Sequence, residues 1–145
     1  MISYFDTSFL APLVLEEATS VMVEAFVRGL PPHQLAISHW TLVEFSSLLA
    51  REVRMGRLSA AAAAATDAEF ETIAAESFVV LAANPSDFTL ARRYLRTYES
   101  GLRAGDALHL AIAKNNGAET LYSFDNVMAK AGALLGLAVS RGPAG

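Results

Sequence analysis

Apolar residues along the chain fall into two patterns: short compact runs, and longer stretches in which they recur three or four positions apart. The short runs are typical of β-strands and the longer stretches of helices. The predicted strands are residues 2–5, 35–38, 78–82, 120–124 and 137–140, with the third of them buried. The predicted helices cover about residues 16–28, 41–55, 60–76, 87–100 and 105–116. Gly29 follows the first of these helices, where a glycine commonly ends a helix in the left-handed conformation.

Strands and helices alternate along the chain, which predicts a parallel sheet with helices on both faces. The predicted fold class is therefore α/β, a three-layer α/β/α arrangement around a central, mostly parallel sheet. No stretch rich in Gly, Ser or charge divides the sequence, so residues 1–145 are predicted to form one domain. Ligands of such folds bind beyond the carboxyl ends of the strands, so the residues that follow each strand are the candidates for a site.

The composition narrows the classes of function. The chain has 145 residues, 53% of them apolar and 18% charged, which is enough apolar material for a buried core. No apolar run reaches the roughly 18 residues of a membrane span. The N-terminus lacks the basic segment of a secretory signal, so a cytoplasmic location is expected. The absence of cysteine excludes a disulfide scaffold, a thiolate zinc site and a cysteine nucleophile. A net charge of −4 argues against a general nucleic-acid coat protein but allows a local basic patch.

Four carboxylates stand where the fold would place a site. Asp6 and Asp125 directly follow predicted strands, whereas Glu44 and Asp106 lie early in two predicted helices. If these elements begin at the same edge of the sheet, the four side chains converge, and their mutual repulsion would have to be offset by a cation. With no cysteine and only three histidines, that cation should be hard and oxygen-liking, Mg²⁺ or Mn²⁺. Phosphodiester hydrolysis is the chemistry that such a site serves.

Each of these residues also has a purely structural interpretation. An aspartate after a strand is most often a helix N-cap, Asp106 can complement its helix dipole, and Glu44 can reach solvent from an apolar helix. His109, one turn beyond Asp106, is expected to be a core histidine with one hydrogen bond rather than a ligand. Trp40 is expected to pack onto the helix that follows it, although it could also stack on an RNA base.

Four segments resemble a known family. Residues 5–8 (Phe-Asp-Thr-Ser), 42–44 (Leu-Val-Glu), 105–111 (Gly-Asp-Ala-Leu-His-Leu-Ala) and 121–125 (Leu-Tyr-Ser-Phe-Asp) are similar, in that order and approximate spacing, to the PIN domain. More narrowly, they resemble the ribonuclease toxins of bacterial toxin–antitoxin pairs, the VapC-like group. The resemblance covers residues 2 to about 139. Two positions depart from it: Ser123 stands where the family often has Thr, and Asn126 stands where many members have another acidic residue.

The resemblance implies a role for each matching residue. It makes Asp6, Glu44, Asp106 and Asp125 the metal-binding acidic residues, and Ser8 the hydroxyl that supports the site beside Asp6. It also implies a metal-dependent endoribonuclease toxin that cuts RNA and is neutralised by a cognate antitoxin protein. Such a toxin is expected as a homodimer or in a toxin–antitoxin hetero-oligomer, with no membrane association.

Two other classes of function remain as alternatives. One is a catalytically inactive PIN-like module that binds RNA or a protein, although all four acidic residues are present. The other is a different enzyme or switch with an aspartate at a strand end. A haloacid-dehalogenase-like phosphatase would have a second aspartate where Ser8 stands, and a phosphorylatable receiver domain would have a lysine at the end of a late strand.

Basic residues form two groups. The first lies just ahead of Asp106 and is either an RNA-gripping rim or a solvated helix face. Its members are Arg92, Arg93, Arg96 and Arg103. The second group is Arg51, Arg54 and Arg57, at the end of the helix that carries Glu44, where complementation of the helix dipole is an adequate explanation.

Overall fold

Five parallel strands form the central sheet of the computed structural model, which describes residues 1–144. They are β1 (Ser3–Phe5), β2 (Leu35–Ser38), β3 (Val79–Leu81), β4 (Thr120–Tyr122) and β5 (Val139–Ser140). Their order across the sheet is β3-β2-β1-β4-β5, and every neighbouring pair is parallel. The chain leaves β1 towards β2 on one side and returns to β4 on the other, so the switch in strand order lies between β1 and β4. Ligand sites of open α/β sheets lie at such a point.

Helices cover both faces of this sheet, which confirms the predicted three-layer α/β/α fold. They are α1 (Thr7–Leu10), α2 (Ser20–Arg28), α3 (His39–Arg54), α4 (Ala60–Ser77), α5 (Pro85–Leu95), α6 (Ala104–Asn115) and α7 (Asn126–Leu135). The sheet is parallel throughout rather than mostly parallel, because each connection between neighbouring strands contains a helix that carries the chain back to the starting edge. Within residues 1–144, no helix is both long enough and apolar enough to cross a membrane.

The two faces of β1 belong to two separate cores. Phe5 points into the layer built by α1 to α4, where it packs with Phe9, Phe45 and Phe70. Tyr4 points into the opposite layer, where it packs with apolar residues of α6, α7 and β4 such as Leu110. Successive side chains on a strand alternate between faces, so these two neighbours in the sequence anchor opposite layers.

Two details of the second helix differ from the prediction. It begins at Ser20 instead of residue 16 because the Ser20 hydroxyl accepts from the Glu17 N–H and donates to the Leu15 carbonyl, which holds residues 15–19 in a turn. Gly29 has a φ of −78°, so the prediction of a left-handed cap is wrong. Its N–H continues the right-handed turn by donating to the carbonyls of Ala25 and Phe26.

Two further differences concern β3 and α7. The prediction of a buried third strand is wrong, because β3 lies at the edge of the sheet and Val79 is 44% exposed. No helix was predicted between the last two strands, where the structure has α7. Asp125 begins this helix as its N-cap, and its carboxylate accepts a hydrogen bond from the Val127 N–H at 2.8 Å.

Candidate active site

Asp6 is held in place by the first strand and the first helix together. Its N–H extends the sheet by donating to the Tyr122 carbonyl of β4, at 3.1 Å. Its carboxylate is the N-cap of α1: Oδ1 accepts from the Phe9 N–H at 3.2 Å and from the Ser8 hydroxyl at 2.7 Å. Asp6 is only 5% exposed, and this burial raises the pKa of its carboxyl. The site therefore holds a carboxylate whose charge is compensated only in part by hydrogen bonds.

Glu44 reaches the same edge of the sheet from α3. Its Oε1 accepts a hydrogen bond from the Thr7 hydroxyl at 2.7 Å and a second from Nε2 of His109. Burial alone would raise the pKa of Glu44, but the His109 and Thr7 hydrogen bonds lower it below its usual value. Glu44 is thus ionised and fixed, and it does not extend into solvent.

Asp106 and Asp125 complete the group of carboxylates. Asp106, in the first turn of α6, is half-buried, and its Oδ2 accepts from the Arg103 N–H at 3.3 Å. Burial raises the pKa of Asp106, and the nearby carboxylates of Asp125 and Glu44 raise it further. This upward effect is the electrostatic sign of acidic side chains gathered near one point.

One cavity of about 390 Å³ is bordered by all four carboxylates. Its lining is Asp6, Thr7, Ser8, Glu44, Leu48, Arg51, Asp106, His109 and Asp125. An adjoining cavity of about 470 Å³ is lined by Trp40, Glu44, Arg103, Gly105, Asp106, Asp125 and Val127. The structure therefore brings Asp6, Glu44, Asp106, Asp125 and Ser8 to one place. Among residues 1–144, however, no three acidic or histidine side chains lie close enough to hold an ion as they are arranged. Ligation would therefore require at least some of the other side chains to turn toward Glu44.

Only part of the predicted basic rim lies near the carboxylate cavity. Arg103 lines the adjoining cavity, whereas Arg92 lines a neighbouring apolar cavity together with Trp40. Arg93 and Arg96 are exposed at the end of α5 and line none of these cavities. One of the four candidates, Arg103, therefore lies beside the carboxylates, and Arg92 lies in the cavity next to theirs.

Other residues at the site were not found by sequence reasoning. Arg51 was assigned to the helix dipole, yet it lines the carboxylate cavity. His109 is a core histidine as expected, at 1% exposure, but it has two hydrogen bonds, to Glu44 and to the Tyr4 hydroxyl. Trp40 does not precede the helix and pack onto it as predicted: it lies in the first turn of α3 and packs against the core layer that contains α6. Its indole N–H is buried with no hydrogen-bond partner among residues 1–144. The only sequence signal for the contact between Tyr4 and His109 was the tyrosine hydroxyl in a strand predicted to enter the core, since a buried hydroxyl requires a partner.

The raised pKa of Asp106 gives a prediction for the metal-free protein. A carboxyl with a higher pKa in the folded state than in the unfolded state costs free energy when it ionises in the folded protein. The fold therefore loses stability as the pH rises from below the unfolded pKa to above the folded pKa. Asp106→Asn removes that charge and retains an acceptor for the Arg103 N–H. We expect the metal-free variant to melt a few degrees above the wild type near neutral pH, with the difference disappearing near pH 4. Circular dichroism melts in the presence of a chelator measure this, and an equal or lower melting temperature near neutral pH would contradict it.

Comparison with known proteins gives one family and several similar structures. A family model described as the PIN domain matches residues 3–134. No curated protein matches the sequence. A solved structure of Mycobacterium tuberculosis VapC20, described as a sarcin–ricin loop cleaving toxin, is 26% identical with a TM-score of 0.72, over 90% of this chain and 95% of its own. PAE2754 from Pyrobaculum aerophilum is 27% identical with a TM-score of 0.62, over 90% and 86%. VapBC-1 from nontypeable Haemophilus influenzae, 17% identical with a TM-score of 0.68 over 97% of both chains, is similar in fold.

Proposed function

This chain belongs to the PIN-domain family, and on that premise we propose that it is a metal-dependent endoribonuclease. It hydrolyses RNA phosphodiester bonds as the toxin of a toxin–antitoxin pair. The observation that carries the proposal is the shared cavity into which Asp6, Glu44, Asp106 and Asp125 converge from separate segments of the chain. Burial raises the pKa of Asp6 and of Asp106, so the fold keeps acidic groups together at a cost in free energy. A cation would offset that cost.

The donor set fits a hard divalent cation. Every candidate ligand is a carboxylate oxygen, which suits Mg²⁺ or Mn²⁺, and the sequence has no thiolate to favour a softer metal. Asp6, Glu44, Asp106 and Asp125 would hold the ion, and the Ser8 hydroxyl orients Asp6 by donating to its Oδ1. When bound, such an ion supplies an activated water and stabilises the charge that develops on the leaving oxygen.

The chain's own residues must also bring an RNA phosphate to these acidic groups. The net charge is −4, so the approach depends on local cations. Arg51 and Arg103 line the two adjoining cavities, where they would bind backbone phosphates near the carboxylates. Arg92 lines the neighbouring apolar cavity and would bind RNA that extends into it, whereas Arg93 and Arg96 would bind only RNA that continues along α5. Cleavage carried by these contacts should weaken as the salt concentration rises.

The toxin role and its partners rest on the similar structures. VapC20 is described as a toxin that cleaves the sarcin–ricin loop, and several other similar structures are of toxin–antitoxin complexes. We accordingly propose a cognate antitoxin protein as the partner, in a homodimer or a toxin–antitoxin hetero-oligomer, acting in the cytoplasm where its RNA substrate lies.

The decisive experiment is RNA cleavage by the purified chain. Bacterial total RNA and a sarcin–ricin loop oligonucleotide are incubated with the protein and Mg²⁺ or Mn²⁺, and the products are resolved on gels. We expect internal cleavage that stops on addition of EDTA and returns with excess metal. Cleavage that persists in EDTA would contradict the metal site. RNA binding without Mn²⁺ binding or cleavage would instead indicate a catalytically inactive PIN-like binding module.

A further inference from the structure

A series of hydrogen bonds links Glu44, at the cavity, to the buried side chains of His109, Tyr4 and Ser38. It begins at the Ser38 hydroxyl, which lies 2.8 Å from the Tyr4 hydroxyl. The Tyr4 hydroxyl lies 2.7 Å from Nδ1 of His109, and Nε2 of His109 bonds to Oε1 of Glu44. Ser38, Tyr4 and His109 have almost no exposure to solvent. These contacts join β1, β2 and α6 to a carboxylate on α3.

The donor and the acceptor can be assigned for the hydrogen bond between His109 and Glu44. An ionised carboxylate can only accept, so Nε2 of His109 carries the proton that bonds to Oε1 of Glu44. The ring is also held on its other side, because Nδ1 is bonded to the Tyr4 hydroxyl and the two rings pack edge to face at a centroid distance of 5.7 Å. Glu44 is therefore held by an imidazole that is itself fixed.

Only one of the two Glu44 oxygens is used in this way. Within residues 1–144, the hydrogen bonds from Thr7 and His109 both end at Oε1. Oε2 faces the backbone of Gly105 and the indole of Trp40: a Cβ added at Gly105 would lie 2.8 Å from Oε2 and 3.3 Å from the indole nitrogen. Residues that hold one oxygen of a carboxylate leave the other oriented for a ligand, and such outer contacts commonly set metal affinity.

We propose that His109 is a positioning residue for the metal site, which holds Oε1 of Glu44 so that Oε2 is presented to the cation, with Tyr4 fixing the imidazole. This inference rests on the proposed function, because it assumes that Glu44 is a ligand. It adds a residue that is not itself a ligand of the metal and that acts through the carboxylate it holds.

The test measures Mn²⁺ affinity directly, by calorimetry on the purified protein, with no RNA present. We expect His109→Leu to weaken Mn²⁺ binding by about 10- to 100-fold. His109→Gln, which keeps an N–H donor of similar reach, should recover most of that loss. Tyr4→Phe, which removes only the hydroxyl behind the ring, should weaken binding by about 2- to 10-fold. His33→Gln, at an exposed histidine on the surface turn at residues 32–34, is the matched control and should bind Mn²⁺ as the wild type does.

The outcomes separate this inference from the proposed function. If the wild type does not bind Mn²⁺, the proposed function fails with it. If the wild type binds and His109→Leu binds equally well, the positioning role is overturned while the function stands. If His109→Gln is as weak as His109→Leu, the N–H donor is not what matters and the inference is wrong. If His109→Leu does not fold, by circular dichroism, Tyr4→Phe decides, and an affinity equal to that of the wild type overturns the inference.

Discussion

Replacing either Asp6 or Asp106 with asparagine should reduce metal-dependent RNA cleavage by at least about 1,000-fold, because several kcal/mol of transition-state stabilisation depend on the bound ion. Asparagine has nearly the same shape as aspartate and keeps one acceptor oxygen. The Asp6 cap on the Phe9 N–H and the Asp106 contact to the Arg103 N–H can therefore survive the change. What disappears is the negative charge that would hold the cation. Both variants should therefore lose activity while keeping the wild-type fold.

Initial cleavage rates at saturating Mn²⁺ measure this effect, and growth after induced expression measures it in the cell. Both variants should relieve the growth arrest that the wild type causes. Asp67→Asn is a matched control, because Asp67 lies on α4, where its carboxylate accepts from the Ser46 hydroxyl, and it lines neither carboxylate cavity. It should cleave like the wild type. Undiminished cleavage by Asp6→Asn or Asp106→Asn would remove that residue from the site.

The second large effect concerns stability, at Phe9. Its ring is completely buried and lies within 6 Å, centroid to centroid, of the rings of Phe5, Phe26, Tyr122 and Phe124, the nearest being Phe124 at 4.5 Å. Phe9→Ala removes the centre of this cluster and leaves a cavity. Such truncations cost about 3–5 kcal/mol of unfolding free energy, which corresponds to a fall in melting temperature of about 10 °C.

Urea denaturation followed by circular dichroism measures the loss. Phe88→Ala is the appropriate control, because Phe88 is 51% exposed and its truncation should change the unfolding free energy by less than about 1 kcal/mol. Equal effects at the two positions would contradict the packing described for Phe9. The Phe9 N–H also donates to Asp6, so weakened packing under α1 should loosen the first carboxylate as well.

Much of the fold followed from local chemistry in the sequence. The positions of all five strands were predicted within a few residues, because each is a short apolar run between turn-forming residues. The errors arose where neighbours in space override local preference. A run such as Phe-Val-Val-Leu-Ala reads as buried whether it lies at the centre of a sheet or at its edge, and β3 lies at the edge. Gly29 was predicted to be left-handed from its position alone, but its hydrogen bonds continue the right-handed turn.

The candidate site was likewise predicted only in part from the sequence. Asp6 and Asp125 were found because the position after a parallel strand is defined by the sequence itself. The contacts of Glu44 were not, because Thr7 and His109 approach it from 37 and 65 residues away. Similarly, Tyr4 and His109 are 105 residues apart and meet only because β1 and α6 pack in the same layer. Hydrogen bonds of this kind depend on tertiary packing, which a single sequence does not display.

Because Tyr4 and Phe5 point to opposite faces of the sheet, β1 depends on a single pairing register. A slip of one residue against β2 and β4 would exchange their faces. The tyrosine hydroxyl would then be buried among aromatic rings with no acceptor, and a phenyl ring would stand beside His109. The same slip would draw Asp6 away from the end of the strand. Aromatic packing, the support of Glu44 and the placement of the first carboxylate therefore depend on one pairing register, and insertions or deletions in this strand should be far less tolerated than substitutions.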